Sequence, residues 1–198
     1  MELSYFKRHP FFKDALSIAA FILCVFIGTL FINTFIFRSF SVVGPSMEST
    51  MHTGDRLVVD RLPVTWAQVQ NKAYLPNRGQ IIVFKNPRFT NGDKDEYIVK
   101  RVIAFPGERV VLKDGKYTVY NKEHIKGLNP DEKITGPGNF TTGEVNIIVP
   151  DNEIFVSGDN RIGSNSLDSR NGLGTIPLYD IVGPVSWRIF PFDQIRTF

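Results

Sequence analysis

Cysteine is almost absent from this chain of 198 residues: Cys24 is the only one, so no intrachain disulfide can form. It lies in an apolar run, where a thiol behaves as a small hydrophobe. A cysteine nucleophile is thereby excluded from everything beyond that run. Histidine is scarce too, with His9, His52 and His124 the only three. No Cys or His cluster has the spacing of a zinc site. No glycine-rich phosphate loop is present, and no internal repeat or low-complexity tract. The net charge of +3 is spread along the chain, without the concentrated basic face of a nucleic-acid binder. Neither a cofactor nor a nucleic-acid partner is expected.

One long hydrophobic run is present. Ala15 to Phe37 carries no charged residue and is long enough, at about 1.5 Å rise per residue, to cross a bilayer core of about 30 Å. Lys7, Arg8 and Lys13 precede it, and Arg38 alone follows closely. That asymmetry predicts residues 1–14 in the cytoplasm, a transmembrane helix over 15–37 and residues 38–198 outside. A cleaved signal peptide fits less well. Its apolar region would be about 7–15 residues long, and Phe35-Ile36-Phe37-Arg38-Ser39-Phe40 makes a poor cleavage site.

After Ser39 the pattern changes to short Val-, Ile- and Phe-rich runs punctuated by Gly, Pro, Asn and Asp. Arg56–Val59, Gln80–Phe84, Tyr97–Ala104, Arg109–Leu112, Val145–Val149, Glu153–Val156 and Ile181–Ile189 read as strands. Turns are marked by Asn91-Gly92-Asp93, Pro106-Gly107 and Asp114-Gly115, the last in a type I′ hairpin. Ala67–Lys72 reads as a short helical turn. A loop-rich insertion is expected over about 113–150, polar and Gly/Pro-containing from Tyr120 to Gly143. The expected fold class is mainly β: one N-terminal transmembrane helix, then a single antiparallel β-sheet domain.

Three segments could carry chemistry. Gly44-Pro45-Ser46-Met47-Glu48-Ser49-Thr50-Met51 puts Ser46 in a bend where backbone N–H groups can converge, as an oxyanion hole requires. A turn serine is the plainer reading of that segment alone. In Tyr97–Glu108 a strand would set Lys100 on one face with Ile98 and Val102. Desolvation disfavours the ammonium, so such a lysine can serve as general base toward a serine hydroxyl. A lysine that packs its stem and snorkels its head is the alternative. Arg101 faces the other way and keeps its proton. Gly158–Arg170 is dense in hydroxyls, carboxylates and guanidiniums, and could supply a hydroxyl that orients a neutral lysine or simply be a self-satisfied polar loop.

In this order the segments GPSMEST, GDRLVV, YIVKRVIAFPGE and GDNRIGS continuing to DSR, behind the apolar run, resemble the type I signal peptidase family of bacteria. The resemblance implies a membrane-bound serine endopeptidase with a Ser–Lys dyad. It would remove signal peptides from exported preproteins, its partners together with membrane lipid, after small residues. Ser46 would be nucleophile and Lys100 general base, and the Ser46 N–H would serve the oxyanion hole. Gly44 stands where other members place a second hydroxyl, so only its backbone could help. Asp159 with Arg101, and Asp168 with Arg170, would be supporting ion pairs. Met47 would wall the first substrate pocket, and Trp66, Trp187, Phe190 and Phe192 are candidates for lipid contact or for ordinary packing.

Two features depart from the pattern. Ser49 stands where the family usually has proline. The segment between GDNR and DSR is also two residues longer than usual. Counting forward from Gly158 selects Ser164 as the partner of Lys100, counting back from Asp168 selects Ser166, and the forward count is preferred. Three rivals remain: a histidine triad through His52 or His124, an inactive membrane-tethered β module that binds exported peptides, and a self-cleaving repressor. The apolar run and the lack of a DNA-binding segment argue against the last.

Overall fold

The apolar run forms helix α1, Pro10–Phe31, followed by a π-helical segment at Ile32–Ile36. The computed structural model describes residues 10–90, 96–132, 134–138 and 140–198. Lys7, Arg8, His9 and the turn expected at Asn91-Gly92-Asp93 lie outside the described residues. The helix starts and stops earlier than 15–37, because Lys13 and Asp14 are accommodated within it and Phe37 already belongs to a strand. Phe12–Ile36 is long and apolar enough to cross a membrane, and the rest of the protein buries none of its most apolar stretch. A hydroxyl within it, Thr29, is satisfied by the Val25 carbonyl at 2.8 Å.

A helix end leaves carbonyls without intrahelical donors. Here Arg61 Nε donates to Thr34 O (2.6 Å), the Arg61 N–H to Ile36 O (2.8 Å) and Thr65 Oγ1 to Phe35 O (2.9 Å). The donors stand at the start of α2, Leu62–Val69, which begins five residues before the helical turn expected at Ala67. The apolar helix is thus fastened to the β domain.

The strands follow as β1 Phe37–Ser41, β2 Arg56–Asp60, β3 Ile81–Lys85, β4 Tyr97–Ala104, β5 Arg109–Lys113, β6 Lys116–Tyr120, β7 Val145–Ile148, β8 Glu153–Ser157, β9 Ile176–Pro177, β10 Ile181–Phe190 and β11 Arg196–Thr197. All pairings are antiparallel. One sheet runs β1-β2-β10-β3-β4-β8-β9 with β11 on β10, and a second runs β6-β5-β7. Asp114 and Gly115 both have positive φ, as the type I′ hairpin between β5 and β6 requires. Strands β1, β9 and β11 are additions to the elements expected. The latter two are only two residues long, too short to show a period.

Strand β4 organises the molecule. It pairs with β3 throughout Tyr97–Arg101, but with β8 only from Arg101 onward. Its first half therefore keeps one edge unpaired among the described residues. Val42, Met47, Met51, Leu57, Val59 and Val83 form the core beneath that region.

Candidate active site

Ser46 stands on the loop between β1 and β2. The loop leaves β1 through Val42, whose N–H bonds Asp55 O (2.9 Å), and turns at Gly44, whose N–H donates to Thr53 Oγ1 (3.0 Å). Bonds from Glu48 N to Pro45 O (3.1 Å) and from Met51 N to Met47 O (2.9 Å) wind residues 45–51 into helical turns. Turn spacing brings Met47 and Met51 to one side, and both are fully buried in the core. This corrects the expectation that Met47 walls a substrate pocket: the methionines are the loop's apolar anchor, and their burial leaves Ser46 half-exposed above them.

Lys100 comes to that hydroxyl from β4. Its Nζ donates to Ser46 Oγ at 2.7 Å and to the Val99 carbonyl at 2.8 Å, and the residue is only 3% exposed. A groove of about 580 Å³ opens over the pair, between the chain around Val42–Pro45 and the unpaired edge of β4 at Tyr97–Lys100. Ser164, Asn165 and Leu167 close one end.

The third segment packs behind. The Asn160 N–H donates to Ser46 O (3.1 Å), and its Nδ2 to Pro45 O (3.2 Å). Gly158 comes so near that a Cβ there would stand 2.2 Å from Ser166 Oγ and 2.3 Å from Ser46 O. Ser166 is fully buried, and its hydroxyl is the buried side-chain polar atom without a hydrogen-bond partner among the described residues. Ser164 is exposed on the groove's rim. Residues 162–165, which hold the two extra residues, form an exposed bulge before Ser166, while Asp168 keeps the following segment in place; Ser166 is thus the inward-facing serine and Ser164 the outward one.

Asp159 accepts from Arg101 Nε at 2.7 Å and also from Arg101 Nη2 and Thr50 Oγ1. Arg101 Nη1 reaches Gly79 O at 2.7 Å. Asp168 accepts from the Gly158 N–H (3.0 Å) and Ser157 Oγ (3.2 Å) and pairs with Arg170 at 3.4 Å. Arg170 in turn ties Thr142 O and Arg161 O at 3.0 and 2.6 Å. Sequence reasoning overlooked Thr50 and Asn160, although both stand inside quoted motifs. It also overlooked Arg161, whose guanidinium holds Asp131 at 2.5 and 2.8 Å, because a pair 30 residues apart leaves no local pattern.

Tyr117 and Glu108 titrate away from their ordinary values. Tyr117, beneath the Ser157–Asp168 contact, is pushed up to about 12 by burial and then by the Asp168 charge. Burial pushes the Glu108 carboxyl up, but hydrogen bonds from Arg78, Asn121 and the Phe105 N–H outweigh it and hold the group below the usual range. The Asp55 carboxylate is engaged by Arg188 (2.9 Å) and the His52 backbone N–H (3.0 Å), and His124 bonds Asn121.

A β-sheet groove ending at a serine hydroxyl against a buried amine is the arrangement of a serine peptidase that works without histidine. The chain matches the family described as signal peptidase, peptidase S26, over residues 15–190. It is 34% identical to signal peptidase I of Bacillus amyloliquefaciens over 182 residues, covering 89% of this chain and 88% of that one. Identity to signal peptidase I S of Bacillus subtilis strain 168 is 32% over 188 residues, 93% and 94% of the two chains. Among solved structures, a signal peptidase I from Enterococcus faecalis V583 aligns with 58% of this chain and all of its own, at 25% identity and a TM-score of 0.42. The chain belongs to the signal peptidase family, peptidase S26, and is a serine peptidase of that family.

Proposed function

We propose that this protein cleaves signal peptides from exported preproteins with Ser46 as nucleophile and Lys100 as general base, while anchored in the membrane by α1. The observation that carries the reading is the 2.7 Å contact between Lys100 Nζ and Ser46 Oγ, with the lysine buried. An amine shielded from water is stabilised as the neutral base. It takes the Ser46 proton as the hydroxyl attacks the scissile carbonyl, then passes that proton to the leaving amine. The Ser46 N–H faces the developing oxyanion. The Ser166 hydroxyl, buried and uncommitted, orients the amine and receives it once Ser46 is acylated. Asp159 with Arg101, and Asp168 with Arg170, hold the two segments that meet at the dyad.

The substrate lies extended in the groove and pairs with the open edge of β4, so that alternate side chains face its floor. Residues 38–198 form the catalytic domain, residues before α1 face the cytoplasm, and the domain works on the other side. Trp66, Leu62 and Val69 of α2, together with Trp187, Phe190 and Phe192, are exposed, and the first three stand on the helix fastened to the end of α1. They rest at the lipid surface, where aromatic side chains are favoured.

The test is cleavage of a preprotein by the purified chain in detergent. Ser46→Ala should lower kcat by roughly four orders of magnitude or more without changing the fold. The rate of the parent should climb with pH above neutrality as Lys100 loses its proton. An unaffected Ser46→Ala, or a rate limited by a group of pKa near 6.5, would overturn the reading.

A further inference from the structure

The segment between β6 and β7, which reads in the sequence as an insertion on the scaffold, touches the nucleophile's turn at Gly136, and that contact is structurally constrained. Three residues after Ser46, Ser49 Oγ donates to the Gly136 carbonyl at 2.9 Å. One residue further, Thr50 hydrogen-bonds Asp159. Gly136 lies against this second bond as well. A Cβ on it would stand 2.2 Å from Thr50 Oγ1, 3.2 Å from Asp159 Oδ2 and 3.5 Å from Arg101 Nη2, and its φ of +133° disfavours any L side chain.

The segment that carries Gly136 is itself tied down. Asp131 is held by Arg161 through two hydrogen bonds, and Thr141 N donates to Gly115 O at 2.8 Å. Ile134 packs over Gly79, whose carbonyl receives Arg101.

We propose that the described residues 131–132, 134–138 and 140–142 form a brace for the nucleophile's turn, with Ser49 and Gly136 as positioning residues that hold Ser46 at the depth where Lys100 can reach it. This rests on the reading of Ser46 as nucleophile. The brace acts on placement more than on folding. The Ser49 bond is exposed, and an exposed hydrogen bond adds little to stability. Catalysis, in contrast, loses about a hundredfold for a displacement near 1 Å. A turn in which the position after Glu48 carries serine in place of a rigid ring gains its stiffness from outside, through the carbonyl of Gly136.

The experiment is steady-state cleavage by the full chain in detergent, with thermal unfolding measured alongside. Ser49→Ala should lower kcat roughly 5- to 30-fold, with KM within about twofold and the midpoint of unfolding within about 2 °C. Ser49→Thr, which keeps the hydroxyl, should restore kcat to within about twofold. Gly136→Ala should lower kcat further, and adding Ser49→Ala to it should cost nothing more, because both act through one contact. If Gly136→Ala does not fold, the Ser49 pair decides alone. The proposal is overturned if Ser49→Ala keeps kcat within twofold, if its loss follows KM or unfolding instead, or if Ser49→Thr fails to restore. Ser46→Ala, run in parallel, separates the two claims. If it abolishes cleavage while Ser49→Ala has no effect, the brace alone is wrong; if it retains activity, the nucleophile and the brace both are.

Discussion

Lys100 and Arg101 are neighbours on β4, both buried, and they lead opposite chemical lives. The strand's alternation sends one side chain to Ser46 and the other to Asp159. Arg101 meets a carboxylate through two nitrogens, with a backbone carbonyl on a third, a forked geometry that ties strand and loop together. Lys100 meets a hydroxyl and a carbonyl, dipoles that orient an amine. Equal burial therefore does not imply equal roles: on the proposed reading, the groups that receive the nitrogen decide whether a buried base is a strut or a reagent.

That contrast can be broken by exchange of effects. Lys100→Ala should cost activity above all, lowering cleavage by roughly four orders of magnitude, with the unfolding midpoint close to the parent's. Arg101→Ala should instead cost stability, about 3–5 kcal/mol in denaturant unfolding, because it leaves the Asp159 charge buried without its guanidinium. If Arg101→Ala unfolds like the parent, the division between strut and reagent fails.

A finer comparison sets Ser166 against Ser164. Ser166→Ala should lower kcat by roughly tenfold and move the alkaline rise of the rate, since it removes the hydroxyl proposed to orient the amine. Ser164→Ala, at the exposed rim, should leave the pH profile in place. Reversal of the two outcomes would restore the forward count made from the sequence.

The smallest effect belongs to Tyr117. Its pKa is raised to about 12 in the folded state, so its contribution is fully present below about pH 10, the ordinary tyrosine value, and is lost as pH rises toward about 12. Chemical denaturation should show the parent weakening over that window and Tyr117→Phe weakening less, at a cost of about 1 kcal/mol at pH 8 for the bond to Ser157.

Much of the architecture is legible along the chain because it is periodic. Strands β2 to β5, β8 and β10 announce themselves through Val- and Ile-rich runs between turn residues, and α1 through an uncharged run. The failures are equally physical. Strand β1 starts at the last residue of the apolar run and continues as Arg-Ser-Phe-Ser, too few apolar residues to announce a strand. Met47, which the family resemblance sets at a substrate pocket, is instead drawn into the core by its turn spacing with Met51. Counting forward along the chain favours Ser164, and counting ignores that an exposed bulge can absorb extra residues while Ser166 stays buried.

From the order of residues alone follow an apolar helix ahead of a β domain, a serine in a tight turn and a lysine at an inward-facing position of a strand, because these depend on local composition and a period of two. Only the tertiary structure decided that the two side chains, 54 residues apart, lie within a hydrogen bond, that Ser166 is the buried hydroxyl behind them, and that Gly136 presses on the turn. Those contacts join segments that share no local pattern, and only the burial of common apolar faces brings them together.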